Sequence, residues 1–90
     1  METYEIEVYG HVHGVGYRWY AWKIAIELGI TGWVKNSYDG SVKIQAQGDD
    51  LMIRTFTDYL KIGPPMARVT DVTVYKRTEF EVFNDFTIQY

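Results

Sequence analysis

Three glycines and an arginine lie close together near the start of the chain, where Gly10 to Arg18 reads GHVHGVGYR. Glycine tolerates backbone conformations that side chains forbid, so such a turn can point several N–H groups at one anion. If a helix begins after Gly16, its first N–H groups and the positive end of its dipole face the same point. Arg18 would add a guanidinium suited to paired hydrogen bonds with phosphate. The segment therefore predicts an anion-binding turn.

The glycine spacing excludes two familiar nucleotide-binding loops. No Lys-Ser or Lys-Thr pair follows Gly16, as a P-loop requires, and the three glycines do not match G-x-G-x-x-G. A plain turn between a strand and a helix remains an alternative, with Arg18 as a solvated helix residue. Taken alone, the segment predicts binding of an anion but not a reaction.

The composition excludes several classes of chemistry. The chain has 90 residues, no cysteine, two histidines and a net charge of −3. The lack of cysteine excludes disulfides, a thiolate nucleophile and cysteine-ligated zinc. No carboxylates cluster beside His11 and His13, so we expect neither a metal nor a cofactor. The charge argues against a general nucleic-acid binder, which needs a basic surface, but it is compatible with a small anionic substrate in one positive pocket.

The elements on either side of the turn follow from hydrophobic periodicity. Apolar and acidic residues alternate from Tyr4 to Val8, which predicts a half-buried strand that ends near Gly10. Apolar residues then recur at helical spacing, and Gly29 is expected to end the helix. The residues of this apolar stripe are Tyr17, Ala21, Ile24, Ala25 and Leu28.

A hairpin follows the first helix. The second strand is predicted from Gly32 to about Asn36, and Asp39-Gly40 indicates a two-residue turn because both positions tolerate positive φ. Alternation from Val42 to Ala46 predicts a third strand. Asp49 or Asp50 can cap a second helix.

The remaining elements are a second helix and two strands. The helix has Ile53, Phe56 and Leu60 on its inner stripe and ends at Gly63-Pro64-Pro65. Val72 and Val74 mark a fourth strand, and Phe86 and Ile88 mark a short closing one. The polar, charged stretch from Lys76 to Asp85 is predicted to be a loop.

The order of these elements is β-α-β-β-α-β plus a short strand. This order predicts an α+β protein with the ferredoxin-like split βαβ sandwich, in which two helices pack on one face of an antiparallel sheet. Residues 1–90 are expected to form a single domain without repeats. The architecture hosts many functions, so function has to come from the site.

Two segments resemble the motifs of the acylphosphatase family. The signature G-x-V-Q-G-V-x-F-R corresponds to residues 10–18, and the motif G-W-V-x-N corresponds to residues 32–36, followed by Asp39-Gly40. Gly48 after the third strand and an ending like F-x-I-x-Y at residues 86–90 extend the resemblance over essentially the whole chain.

The resemblance implies hydrolysis of acyl phosphates to a carboxylate and inorganic phosphate. In this interpretation Arg18 binds the phosphate and Asn36 positions the attacking water. Inorganic phosphate or sulfate is also expected to bind there, and no metal or cofactor is implied. The chemistry agrees, because a carboxylate leaves easily and the protein must supply mainly orientation and charge stabilisation. The backbone cradle comprises His13, Gly14, Val15, Gly16, Tyr17 and Arg18.

Two positions depart from the family pattern. His13 replaces glutamine, and it acts either as a general base or phosphate-contacting cation, or as an ordinary hydrogen-bonding side chain. Tyr17 replaces phenylalanine and is expected to pack at the helix start.

A second apolar stripe on the first helix consists of Trp19, Trp22 and Ile26. It would line an acyl-group pocket, form a partner surface, or pack against the second helix or loops. We expect the packing role.

Two rival functions are considered. One is the acylphosphatase-like domain that begins larger carbamoyl-transfer maturation proteins, although an end at Tyr90 favours the stand-alone enzyme. The other is a ferredoxin-like RNA-binding or regulatory module without catalysis, but the third strand offers no aromatic residue for stacking. No signal-peptide pattern and no run of about 18 apolar residues is present. We therefore expect a cytoplasmic monomer that acts on a small molecule, with no membrane or nucleic-acid partner.

Overall fold

The computed structural model describes residues 2–78 and 81–90. Within them, the elements follow the predicted βαββαβ order with a further strand at the end. In chain order they are β1 (Glu2–His11), α1 (Tyr17–Leu28), β2 (Thr31–Asn36), β3 (Val42–Gly48), α2 (Asp50–Ile62), β4 (Arg68–Arg77) and β5 (Phe86–Gln89). No helix in the described part of the chain is long and apolar enough to cross a membrane.

The five strands form one sheet in the order β4-β1-β3-β2-β5. The pairs β4–β1, β1–β3 and β3–β2 are antiparallel, as predicted, but β5 runs parallel to β2, so the sheet is mixed. The cause is the route between β4 and β5. β4 ends beside the start of β1, at the same end of the sheet where β2 begins. Glu81 and Phe83, which precede β5, lie at that end, where the Gln47 side chain bonds to their backbone. β5 therefore starts level with β2 and runs in its direction.

The core lies between the sheet and the two helices. Alternate residues of β1 and β3, including Ile6, Val8, Val42 and Ile44, are fully buried. α1 packs on β2 and β5, while α2 packs on β1, β3 and β4. This places both helices on one face, as predicted.

The boundaries of both helices agree with the sequence signals. Gly16 and Gly29 flank α1 in the left-handed conformation, and the N–H groups of Gly29 and Ile30 bond to the carbonyls of Ile26 and Ala25. The Asp49 carboxylate accepts a hydrogen bond from the N–H of Met52 at 2.9 Å and caps α2.

The second apolar stripe of α1 packs only in part. Trp22 is half-buried and donates its indole N–H to the carbonyl of Phe86 at 3.1 Å. Trp19 is 57% exposed and Ile26 is 49% exposed. The expectation that all three residues pack was wrong for Trp19 and Ile26, because α1 covers the β2–β5 side of the sheet and its far side faces solvent.

The fourth strand is longer than predicted. Lys76 and Arg77 belong to β4 rather than to the predicted loop, whose residues 79 and 80 lie outside the described part. β4 is an edge strand, and charged residues are well suited to such a position. Arg77 pairs with the Glu5 carboxylate on β1, and Lys76 Nζ lies 3.8 Å from a Glu2 carboxylate oxygen.

Candidate active site

A depression of about 180 Å³ lies where β1 ends and α1 begins. It brings together Arg18 and Asn36, the two side chains that the sequence assigned to one site. Neither Gln89 nor His13 lines it, although both contact residues around it. The lining residues are Val12, Gly14, Gly16, Tyr17, Arg18, Trp19, Asn36, Ile88 and Tyr90.

The turn between β1 and α1 has two left-handed glycines. The φ angles of Gly14 and Gly16 are 71° and 77°, and a Cβ on either would meet no atom within 4 Å. Glycine is therefore needed for its backbone conformation and not for space. None of the hydrogen bonds between described backbone groups outside strands and helices uses an N–H of residues 13–18 as its donor. Alternating conformations with free N–H groups form a concave anion-binding backbone.

The C-terminal residues Gln89 and Tyr90 hold Arg18 in position. One terminal nitrogen of Arg18 donates to the carbonyl of Gln89 at 3.1 Å. The guanidinium carbon lies 4.6 Å from the centre of the Tyr90 ring. A guanidinium stacked on an aromatic face is attracted to it and restricted in orientation. The charge of Arg18 is thereby held at the mouth of the depression, in the first turn of α1.

Asn36 is the last residue of β2 and reaches the depression from the opposite wall. Its Oδ1 is buried and has no hydrogen-bond partner among the described residues. Such groups are uncommon in native structures, and among the described residues Thr31 and Thr73 also have one.

The turn after Asn36 differs from the predicted two-residue hairpin. The N–H of Ser37 bonds to the carbonyl of Ser41 at 2.9 Å, so three residues, 38–40, lie between this pair. Only Gly40 has positive φ (88°). Asp39 does not, and its carboxylate accepts hydrogen bonds from the N–H and hydroxyl of Ser41. These bonds lower the pKa of Asp39 and favour the wider turn, which has a left-handed glycine at its third position.

His13 contacts the hairpin and not the depression. Its Nε2 lies 2.7 Å from the carbonyl oxygen of Ser41. A carbonyl can only accept, so Nε2 carries the hydrogen and is not free to take a proton from water. The geometry thus favours the ordinary hydrogen bond over a general base at this nitrogen. His11 is exposed at the end of β1.

Tyr17 contributes its backbone to the turn and its side chain to the core. The ring is buried, as expected, and its hydroxyl donates to the carbonyl of Leu60 at 2.6 Å. Burial raises the pKa of this phenol, so Tyr17 stays neutral and serves as a packing residue between the two helices.

The sequence analysis did not assign four of the lining residues to the site, namely Val12, Trp19, Ile88 and Tyr90. Trp19 was expected to pack, Ile88 was assigned only to a strand, and Val12 was noted only within the motif. Trp19 directly follows Arg18 in the first turn of α1, so the sequence already indicated that both side chains lie near the N-terminal end of this helix. In the described residues, no group of three or more histidines, aspartates or glutamates is placed to hold a metal ion.

The chain is similar to known proteins in sequence and in fold. Residues 4–88 match the family model described as Acylphosphatase. An acylphosphatase of Actinobacillus succinogenes is 46% identical over 85 residues, which are 94% of each chain. The crystal structure of acylphosphatase from Bacillus subtilis is similar with a TM-score of 0.96 and 38% identity, over 100% of both chains. The structure of T. kodakarensis HypF is also similar, with a TM-score of 0.87 and 31% identity, but the match covers 99% of this chain and only 12% of that one.

Proposed function

The chain belongs to the acylphosphatase family, and we propose that Arg18 and the backbone N–H groups of residues 13–18 bind the phosphoryl group while Asn36 orients the attacking water. The reaction is the hydrolysis of an acyl phosphate to a carboxylate and inorganic phosphate. One observation carries the proposal. One depression contains left-handed glycines at a helix start, the Arg18 guanidinium stacked on Tyr90, and an amide whose buried oxygen has no partner among the described residues.

The turn and Arg18 supply charge stabilisation. The phosphoryl group carries its charge on three oxygens, and this charge is redistributed as the bond to the acyl oxygen breaks. N–H groups fixed at Gly14 and Gly16 and the dipole of α1 face these oxygens without reorganising during the reaction. Arg18 adds a full positive charge with a planar set of donors.

Asn36 supplies orientation of the nucleophile. A side-chain amide can donate to a water oxygen and accept from a water hydrogen, and half a turn about its last bond exchanges the two atoms. The water oxygen attacks phosphorus, the bond from phosphorus to the acyl oxygen breaks, and its electron pair leaves with the carboxylate. One proton of the water passes to a phosphate oxygen. The leaving carboxylate needs no proton at neutral pH, so no strong acid is required.

Release of inorganic phosphate from acetyl phosphate, in the presence of a chelator, tests the proposal. We expect Asn36→Ala and Arg18→Ala each to lower the rate about 10²- to 10³-fold. Arg18→Ala should also weaken inhibition by inorganic phosphate, whereas Asn36→Ala should change kcat with little effect on KM. Matched controls are Asn84→Ala and Arg54→Ala, since both residues are exposed and outside the depression. Activity that survives both site substitutions would contradict the assignment.

We also propose that the protein acts in the cytoplasm as a monomer on a small molecule, with no nucleic-acid partner. The proposed mechanism uses residues of one chain and does not require a second copy. On the sheet face away from the helices, Tyr9 donates to the Glu7 carboxylate at 2.6 Å, and carboxylates repel nucleic-acid phosphates. Sedimentation equilibrium tests the monomer, and filter binding with labelled RNA at moderate salt tests the absence of nucleic-acid binding.

A further inference from the structure

The side chain of His13 connects the turn between β1 and α1 to the hairpin between β2 and β3. His13 belongs to the turn that follows β1, and its Nε2 donates to the carbonyl of Ser41 in the β2–β3 hairpin at 2.7 Å. The ring is half-buried and Ser41 is 1% exposed. A hydrogen bond in such a place is shielded from competing water and restricts both partners.

The carbonyl that His13 contacts is itself firmly held. It also accepts the N–H of Ser37, the residue after Asn36. The N–H and hydroxyl of Ser41 both donate to the Asp39 carboxylate, at 3.0 and 2.5 Å. In the ladder Asn36 pairs with Val42, the residue after Ser41. The imidazole therefore contacts the part of the hairpin that carries Asn36.

We propose that His13 is a positioning residue that sets the separation between the phosphate-binding turn and Asn36. The inference rests on the proposed roles of the turn and of Asn36. Water attack requires the nucleophile and phosphorus at a defined distance and direction, and a displacement of about 1 Å can cost about 10²-fold in rate. The sheet, the core and the contact of Arg18 with Gln89 also connect the two walls, but the bond from His13 reaches the hairpin beside Asn36 directly.

The requirement at this position is an N–H donor at the reach of imidazole Nε2. Glutamine has such a donor at its Nε2 and can serve the same carbonyl, whereas methionine has nearly the same length and no donor. The pair His13→Gln and His13→Met therefore separates the hydrogen bond from the size of the side chain. His11→Gln and His11→Met are matched controls, because His11 is exposed two residues earlier on β1.

Steady-state kinetics with acetyl phosphate and inhibition by inorganic phosphate test the proposal, at a temperature where urea unfolding shows every variant to be folded. We expect His13→Met to lower kcat about ten- to hundredfold, by more than it weakens phosphate inhibition. His13→Gln should restore kcat to within about threefold of the wild type, and the His11 variants should be unchanged. If His13→Gln is as slow as His13→Met, or if both are fully active, the proposal is overturned.

A double-mutant cycle with Asn36→Ala tests whether His13 acts through Asn36. Residues that act as a unit are not additive, so His13→Met should cost less than about threefold in the Asn36→Ala background. Independent, additive losses would overturn the coupling while leaving the roles of Arg18 and Asn36 intact. Full activity of Asn36→Ala alone would instead refute the proposed function.

Discussion

Replacing Asn36 with alanine is expected to remove turnover without destabilising the fold. The reason is the state of its side-chain oxygen, which is buried without a partner among the described residues. The substitution therefore breaks no hydrogen bond between this oxygen and a described residue, whereas each broken one would typically cost about 0.5–1.5 kcal/mol. A purely structural asparagine would show the opposite behaviour, because its loss would leave other groups unpaired.

The net change is then mainly the loss of packing by a half-buried side chain, about 1 kcal/mol for one buried methylene-sized group. The free energy of unfolding of Asn36→Ala should thus lie within about 1 kcal/mol of that of the wild type. The rate should fall about 10²- to 10³-fold.

Urea unfolding followed by tryptophan fluorescence measures the first quantity, and phosphate release measures the second. The slope of the unfolding free energy against urea must be equal in both proteins for the comparison to hold. Ser41→Ala is a suitable contrast, because it removes a hydroxyl that donates to Asp39 and should lower stability. If Asn36→Ala is destabilised by more than about 1 kcal/mol, the oxygen is a structural group and the reasoning fails.

Three further predictions concern other parts of the site and its frame. Gly32→Ala should prevent folding or cost about 3 kcal/mol or more, because its Cβ would lie 1.8 Å from a backbone oxygen of β3. In Gly16→Ala the new Cβ meets no atom within 4 Å, so the cost should be only about 1–2 kcal/mol. Urea unfolding of both variants checks this contrast, and similar losses of stability would contradict it. Hydrogen bonds from Ser41 lower the pKa of Asp39 below its ordinary 3.8. Asp39→Ala should therefore lower the free energy of unfolding at neutral pH, and this difference from the wild type should disappear as pH falls through the lowered pKa. A difference in unfolding free energy that persists at about pH 2 would refute this prediction. Tyr90→Ala should raise KM about two- to fivefold with kcat nearly unchanged, because the ring orients Arg18. Steady-state kinetics measure both constants, and a large loss of kcat would show that the ring has another role.

The sequence predicted the helices and strands accurately where one face of the element is buried in the core. The alternation of Tyr4, Ile6 and Val8 with glutamates predicted β1 and the face on which the core lies. The glycines at 16 and 29 predicted both ends of α1, because left-handed conformations are needed there. These signals are local, and the features they predict depend on neighbouring residues only.

Features that depend on distant contacts could not be predicted. The charges of Lys76 and Arg77 indicated a loop, but their backbone pairs with Tyr4 and Thr3 of β1 and continues the strand. The parallel direction of β5 depends on the sheet end at which β4 finishes. In the site, the glycine turn predicted Arg18 as an anion-binding residue and the family resemblance added Asn36, whereas the stacking of Tyr90 on Arg18 joins opposite ends of the sequence.

The parallel edge strand β5 has a consequence for how activity is lost on heating. It has four residues, pairs with β2 alone, and carries Gln89 and Tyr90 to Arg18. Short edge strands open in local fluctuations whose free energy is below that of global unfolding. Each such opening releases the guanidinium while the remaining four strands and both helices stay formed. Thermal inactivation should therefore begin before the core melts. Amide hydrogen exchange in β5 should report how often Arg18, near the other end of the sequence, loses its orientation.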